Sequence, residues 1–301
     1  MYHKPVLLHE SVEGLQVQAD GLYADVTFGG GGHSRAILEL LGAGGRLFGF
    51  DQDVDAKANI IDDPRFVFIP QNFQFLKNFV RLHGAKQLDG VLADLGVSSH
   101  QFDVAAKGFS TRFDGRLDMR MDQQQEITAE TIVNTFDQQE LTDVFRKYGE
   151  MQQAWQMAGA IVTARQSAVI QTTQDLKQIV EPFLPRNREN KVLAQLFQAI
   201  RIEVNQELQV LEKFLEQCAD VIKPGGRLVV ISYHSLEDRL VKNFMRAGNA
   251  NGIIEKDFYG KKLSPWEVIS RKPIVPNTEE IKENNRARSA KLRIAQRNAD
   301  D

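Results

Sequence analysis

A run of glycines between an apolar segment and a helix-like segment constrains the fold of this chain more than any other feature. Residues 22–28 have the apolar pattern of a strand, glycine occupies every position from 29 to 32, and residues 34–41 have the spacing of an amphipathic helix. Because glycine has no side chain, the backbone of such a turn can approach a ligand closely. The layout predicts a nucleotide-like ligand at the first strand-to-helix turn of an α/β sheet.

An acidic residue follows the glycine run at a characteristic distance. A second strand pattern, at 46–51, ends in Asp51, which is 22 residues after Gly29. In doubly wound folds an acid about 20 residues beyond the glycine turn binds ribose hydroxyls. We therefore expect Asp51 to bind the ribose of an adenosine-containing cofactor. The glycine run alone is weak evidence, since similar turns occur without a ligand.

Two further acids indicate which cofactor is bound. Asp25 closes the first strand pattern and Asp94 closes the fourth. Negative charges at neighbouring strand ends repel a pyrophosphate, which disfavours a nicotinamide-dependent oxidoreductase. They suit the ammonium and sulfonium groups of S-adenosylmethionine better. Asp94 also follows a central strand, where substrate and cofactor meet in such folds, although an acid there can instead cap a turn or helix.

The strand and helix patterns divide the chain into two parts. Strand patterns occur at 22–28, 46–51, 65–69, 88–95, 227–232, 266–271 and 291–296. Helical patterns occur at 34–41, 54–60, 73–83, 140–148, 155–165, 173–181 and 191–202. The early alternation predicts a parallel sheet with right-handed crossovers. We predict a doubly wound, Rossmann-like α/β domain formed by residues 1–103 and 210–301, with an all-helical domain inserted at 104–209.

Composition narrows the class of protein further. Hydrophobic residues make up 42% and charged residues 26% of the 301 positions, as in ordinary globular proteins. Apolar runs are too short to cross a membrane, and the N-terminus lacks a signal-peptide core. Cys218 is the only cysteine, so an intramolecular disulfide and a cysteine metal cluster are excluded. The histidines are scattered, which predicts no metal site. We predict a cytoplasmic protein without membrane contact.

The charge of the chain and three further side chains are each compatible with a functional role and with a purely structural one. The net charge of −3 argues weakly against general nucleic-acid binding, although basic residues outnumber acidic ones in 256–301. Phe73 follows the third strand and either flanks an adenine or packs in the core. Ser98 follows the fourth strand and either contacts substrate or caps a helix. His234 either holds the substrate base or lies beside a capping box that begins at Ser235.

Several stretches spread over the whole chain form one ordered set. They are TFGGGGHS at 27–34, DLGVSS at 94–99, GFS at 108–110, LDMRM at 117–121, RI-x-VN at 201–205, S-x-HSLEDR at 232–239 and NRARSAKLR at 285–293. The set resembles the signatures of the bacterial small-subunit (16S) rRNA cytosine-N4 methyltransferase family. The chain departs from the family pattern at Lys107, Arg116 and Asn285, which bear only on local RNA contacts.

The resemblance implies a cofactor, a substrate and a set of site residues. The implied substrate is a cytosine in the decoding region of the 16S rRNA of the small ribosomal subunit. Our hypothesis for catalysis is that Asp94, or the backbone carbonyls after it, accepts hydrogen bonds from the cytosine N4 amino group. The second candidate is Ser98, as a residue that holds the base. The cofactor is S-adenosylmethionine, and its implied ligands are Gly31, Gly32, His33, Asp51, Phe73, Asp94 and Gln101.

Two alternative functions and the oligomeric state stay open. A methyltransferase for small molecules is disfavoured by the basic C-terminal segment and the large helical insertion. A non-catalytic RNA-binding assembly factor with the same fold is disfavoured by the presence of Gly31, Asp51 and Asp94. The sequence does not distinguish a monomer from a homodimer.

Overall fold

The protein consists of two compact units. The computed structural model describes residues 5–299, except for the side chains of Ser99 and His100. The first unit, unit 1, contains Met1–Gly96 and Leu208–Asp301, and the second, unit 2, is Val97–Glu207. Within the described residues, no helix is both long and apolar enough to cross a membrane.

Unit 1 is built on a seven-stranded sheet. Its strands are β1 (Leu22–Asp25), β2 (Arg46–Phe50), β3 (Phe66–Ile69), β4 (Leu88–Asp94), β5 (Ile222–Ser232), β6 (Trp266–Val268) and β7 (Lys291–Arg297). The order is β3-β2-β1-β4-β5-β7-β6. Strands β1 to β5 pair in parallel, whereas β7 is antiparallel to both neighbours. The predicted doubly wound α/β fold is confirmed, and its switch point lies between β1 and β4, where such folds bind ligands.

Helices cover both faces of this sheet. The helices of unit 1 are α1 (Leu8–Leu15), α2 (Gly32–Leu40), α3 (Leu76–Leu82), α10 (Glu207–Val221), α11 (Ser235–Ala247) and α12 (Thr278–Glu283). On one face, Phe48 and Val91 pack in a core cluster with Phe214 of α10. On the other face, Leu47 and Leu92 pack with residues of α1 and α2. Burial on both faces explains why these strands are almost continuously apolar.

Unit 2 is helical. Its helices are α4 (Ser99–Asp103), α5 (Ala129–Thr135), α6 (Gln138–Gly149), α7 (Ala154–Ala164), α8 (Thr173–Val180) and α9 (Glu189–Asn205). Three of them begin at capping boxes whose first residues are Thr128, Asp137 and Thr172. Its described residues contain no strand, apart from an isolated bridge between Arg116 and Thr172.

Several predicted element boundaries were wrong, for local reasons. The first strand ends at Asp25 rather than at 28, because the chain turns into the glycine run. The helix predicted at 54–60 is a 3₁₀ helix, Val54–Asn59. The strand predicted at 266–271 is only Trp266–Val268. Strand β5 begins earlier than predicted, at Ile222, and residues 223–226 bulge out of its pairing with β4.

Candidate active site

The glycine loop between β1 and α2 is shaped by two glycines in left-handed conformations. Gly29 has φ +50° and Gly31 has φ +74°. The Gly31 N–H donates to Phe28 O at 2.7 Å, which closes a tight turn immediately before α2. A Cβ on Gly31 would lie 2.9 Å from the Phe28 ring. The loop therefore presents bare backbone and the N-terminus of a helix, whose first N–H groups lack intrahelical partners.

Asp51 joins this loop to the end of β2. Its Oδ2 accepts a hydrogen bond from Gly29 N at 2.8 Å, and its Oδ1 accepts one from Asp53 N at 2.8 Å. Burial raises the pKa of Asp51 to about 6, and these two hydrogen bonds oppose the rise. The carboxylate is therefore mostly ionised at neutral pH, which suits the ribose-binding role that the sequence predicts for it.

Asp25 holds the glycine loop in place through hydrogen bonds within the protein. It is 1% exposed, and its Oδ2 accepts from Ser34 Oγ at 2.6 Å while its Oδ1 accepts from Thr27 N at 3.2 Å. Burial raises the pKa of Asp25. Both oxygens are used to fix the glycine loop against α2, so Asp25 supports the loop from within the protein rather than offering an exposed acceptor.

Asp94 and Tyr233 form a polar pair at the carboxyl ends of β4 and β5. The Tyr233 hydroxyl donates to Asp94 Oδ1 at 2.7 Å, and Asp94 N donates to Thr27 Oγ1 at 2.6 Å. Burial raises the pKa of Asp94 to about 6, although a charge on His33 and the Tyr233 hydrogen bond oppose the rise. Burial also raises the pKa of Tyr233, so its hydroxyl stays protonated and remains a donor.

The start of α11 holds Tyr233 in place. His234 is the N-cap of this helix, and its Nδ1 accepts from Glu237 N at 3.4 Å. Glu237 Oε2 accepts in return from Tyr233 N at 3.0 Å and from His234 N at 3.4 Å. The capping box thus begins at His234, one residue earlier than the expected start at Ser235. In this arrangement His234 fixes the helix and the residue before it.

Phe73 and His33 both belong to unit 1. Phe73 packs edge-to-face on Phe214 with ring centroids 5.2 Å apart, and it is only partly buried. The preceding Asn72 donates to Gln52 Oε1 at 2.7 Å, which ties the Phe73 loop to the residue after Asp51. His33 Nε2 lies 3.1 Å from a backbone oxygen of the N-terminal segment, and its ring is buried. The assignment of His33 as a cofactor ligand stays a prediction.

Ser98 and Gln101 belong to unit 2, where they form a reciprocal pair at the start of α4. Ser98 N donates to Gln101 Oε1 at 3.0 Å, and Gln101 N donates to Ser98 Oγ at 3.2 Å. This pair caps the helix, which was the alternative raised for Ser98. Their assignments as a catalytic and a cofactor-binding residue stay predictions.

Tyr233 is the site residue that sequence reasoning missed. The pattern around it drew attention to His234 as the polar residue beyond the strand. The available signal was a phenol directly after Ser232, the last residue of β5. Since β5 pairs with β4, a residue leaving β5 lies beside the end of β4. Any polar side chain at that position is therefore a candidate partner for Asp94.

Comparison with known proteins identifies the family. The chain belongs to the MraW methylase family, whose family model matches residues 1–298. It is similar to a protein named ribosomal RNA small subunit methyltransferase H from Flavobacterium johnsoniae, with 57% identity over 98% of each chain. A protein of the same name from Bacteroides thetaiotaomicron is 54% identical over 98% of this chain and 97% of that protein.

Among solved structures, the chain is similar to an rRNA methylase from Streptococcus thermophilus. The TM-score is 0.45 and the identity 10%, over 97% of this chain and 96% of that one. The family assignment depends on the sequence relatives alone. The protein is an S-adenosylmethionine-dependent methyltransferase, and the predicted enzyme class and cofactor are confirmed.

Proposed function

We propose that this enzyme transfers a methyl group from S-adenosylmethionine to the exocyclic N4 of a cytosine in the decoding region of 16S rRNA. The names of the relatives at 53–57% identity support a small-subunit rRNA substrate. The observation that carries the chemical step is the Tyr233–Asp94 hydrogen bond at the switch point of the sheet. Asp94 ends β4, the strand next to β1, and β1 leads into the glycine loop.

The residues around the switch point fit the proposed cofactor. Gly31 has a left-handed conformation and Gly32 begins α2, whose first N–H groups lack intrahelical partners, and the ionised Asp51 is an acceptor for ribose hydroxyls. Phe73 offers a partly buried ring for the adenine. Asp94 adds a negative charge that suits an ammonium or sulfonium group. The cofactor supplies a methyl group bound to a positively charged sulfur, and the protein supplies position and electrostatics.

Asp94 is proposed to act on the cytosine amino group. That nitrogen is a poor nucleophile because its lone pair is delocalised into the ring. Tyr233 donates to Oδ1 of Asp94, and no described residue donates a hydrogen bond to Oδ2. Oδ2 can therefore accept an N–H of the cytosine, which concentrates electron density on the nitrogen that attacks. The Tyr233 bond keeps the carboxylate ionised and fixes its orientation.

Substrate recognition is assigned to the inserted helices. We propose that the domain predicted at 104–209 binds rRNA, and that Ser98 acts on the target base as a second candidate. The base must leave its stack to reach the switch point, at a cost of a few kcal/mol. Contacts to phosphates elsewhere on the protein offset that cost. A cytoplasmic location stays a prediction, and the choice between a monomer and a homodimer stays open.

One experiment tests this function. The protein is incubated with labelled S-adenosylmethionine and small subunits that lack the modification, and the labelled nucleotide is mapped. Label on N4 of a single decoding-region cytosine is the expected result. Label confined to small molecules, or binding to subunits without transfer, would favour the two alternative functions. The Asp94→Asn variant serves as the matched control for background label.

A further inference from the structure

An exposed aromatic tip projects from the segment between α11 and β6. We define the aromatic tip as residues 253–263. Phe258 is 97% exposed and Tyr259 is 90% exposed, and the centroids of their two rings are 5.6 Å apart in an edge-to-face arrangement. Ile253, Ile254 and Leu263 are exposed as well. Adjacent aromatic rings with such exposure are costly to leave in water, so they mark an interaction site.

The tip is held in one conformation by local hydrogen bonds. Lys256 and Lys262 form an antiparallel bridge, and Asp257 N donates to Lys261 O at 2.9 Å. Asp257 Oδ1 accepts from Tyr259 N at 2.9 Å and from Lys261 N at 2.8 Å. Gly260 has φ +83°, which completes the turn. The two rings are therefore presented by a closed hairpin, which lowers the entropy cost of binding.

The charges around the rings favour an anionic partner. Three lysines, Lys256, Lys261 and Lys262, flank the aromatic pair, and they outnumber the two acids of the tip, Glu255 and Asp257. The carboxylate of Asp257 is turned inward to the backbone of the hairpin. Burial and, to a lesser extent, the neighbouring Arg246 lower the pKa of Lys262. Exposed rings surrounded by cations are the arrangement that binds unpaired nucleotides by stacking and phosphate contacts.

We propose that the aromatic tip is a second RNA-binding site, which stacks unpaired bases of small-subunit rRNA on Phe258 and Tyr259. The flanking lysines contact the adjacent phosphates. The site lies on unit 1, so rRNA recognition does not depend on the inserted helices alone. This inference rests on the proposed function, because the RNA in question is the substrate of the enzyme.

Paired substitutions of the aromatic residues test the stacking. Phe258→Ala with Tyr259→Ala is expected to raise the KM for small subunits at least tenfold, since base stacking on aromatic residues is strong. The value of kcat and the Kd for S-adenosylmethionine are expected to stay unchanged. Phe258→Trp with Tyr259→Phe retains the stacking surface and is expected to retain the KM. Phe258→Leu with Tyr259→Leu retains apolar surface only and is expected to behave like the alanine pair.

Lysine substitutions and a matched control complete the test. Lys256→Gln with Lys261→Gln is expected to flatten the dependence of log affinity on log salt, by about 0.7–0.9 for each phosphate that is no longer neutralised. Leu82→Ala with Lys86→Ala, an exposed apolar and basic pair elsewhere on unit 1, is the control and is expected to change neither the KM nor the salt dependence.

The outcomes separate this inference from the proposed function. If the unmodified protein methylates small subunits and the alanine pair has the same KM, the aromatic tip is not an RNA site and the proposed function stands. If the leucine pair has the same KM for small subunits as the unmodified protein, stacking on RNA is overturned. Stacking on RNA is also overturned if the alanine pair loses binding to anionic lipid vesicles but keeps the KM for small subunits. If the unmodified protein does not methylate small subunits at all, the proposed function itself fails.

Discussion

The Tyr233 hydroxyl donates a hydrogen bond of 2.7 Å to Asp94 Oδ1, although 139 residues separate the two in the chain. The bond exists because β4 and β5 pair in parallel with Asp94 opposite Ile231. It places a neutral donor beside a carboxylate whose pKa burial has raised. The pair therefore sets both the direction and the ionisation of the group assigned to the cytosine.

Tyr233→Phe is expected to slow methyl transfer without weakening cofactor binding. A hydrogen bond to a charged group contributes about 1.5–3 kcal/mol, which corresponds to roughly a 10- to 150-fold lower rate. Loss of the donor also raises the pKa of Asp94 above about 6, so the acid limb of the rate profile moves to higher pH. Single-turnover methylation of small subunits across pH 5–8 measures both effects. An unchanged rate and profile would remove Tyr233 from the mechanism.

Asp51→Ala is expected to weaken the binding of S-adenosylmethionine by about 1.5–3 kcal/mol, the range for hydrogen bonds to a charged group. The exposed Asp62 offers a matched control, because Asp62→Ala removes one acid outside the proposed cofactor site. Isothermal titration calorimetry gives the affinities, and circular dichroism verifies the fold. Equal affinity of the two folded variants would contradict the ribose assignment.

The affinity for S-adenosylmethionine is expected to fall as the pH drops through about 6. The folded-state pKa of Asp51 is raised to about 6, so below that pH the carboxyl group is protonated and loses its charge and one acceptor site. Below that pH, protonation of one such group lowers the affinity for S-adenosylmethionine tenfold for each unit by which the pH falls. In Asp51→Asn the slope of log Kd against pH should be smaller by one unit. A slope that is the same in both proteins would show that another group titrates.

Gly31→Ala is expected to reduce both cofactor affinity and thermal stability. The residue has φ +74°, and a Cβ there would contact the Phe28 ring at 2.9 Å. Left-handed backbone alone costs an alanine about 1–2 kcal/mol. Gly84→Ala is the control, because Gly84 has φ +83° but its Cβ would meet nothing within 4 Å. If Gly31→Ala loses no more stability than Gly84→Ala and binds the cofactor normally, the glycine loop has no role in binding.

Replacement of Val97–Glu207 by a short flexible linker is expected to retain cofactor binding and abolish rRNA methylation. The sheet and the glycine loop belong entirely to unit 1, so the proposed cofactor site does not need residues 97–207 apart from Gln101. Calorimetry with S-adenosylmethionine and methylation of small subunits measure the two activities. Methylation by the shortened protein would show that the helical unit is dispensable.

Local sequence patterns were sufficient to predict most strands of the sheet. The first four strands were predicted because each is a short apolar run between turn residues, and both faces of the sheet are buried. The stretch from about Asp103 to Gln209 indicated an insertion because it contains no convincing strand pattern. These features depend on neighbouring residues only, so they can be recognised without knowledge of strand pairing.

The candidate site was less predictable, because its contacts are long-range. Asp51 was found from its spacing to Gly29, which is fixed by one βαβ unit. Tyr233 was missed because its proximity to Asp94 depends on the register between β4 and β5. The cap at His234 was misplaced by one residue, since a histidine ring nitrogen is an uncommon N-cap acceptor compared with serine or aspartate. The assignments of Ser98 and Gln101 stay predictions.

The position of β5 between β4 and β7 means that the sheet is completed late in the synthesis of the chain. Residues 97–207 leave the ribosome after β4 and before β5, and β7 follows later still. A nascent chain in which β4 has left the ribosome but β5 has not therefore exposes Asp94 without Tyr233. Since domains fold as units once their parts are present, the sheet is completed only after β7 has been made. Translation products that stop before Tyr233 consequently lack the donor of the hydrogen bond to Asp94 Oδ1.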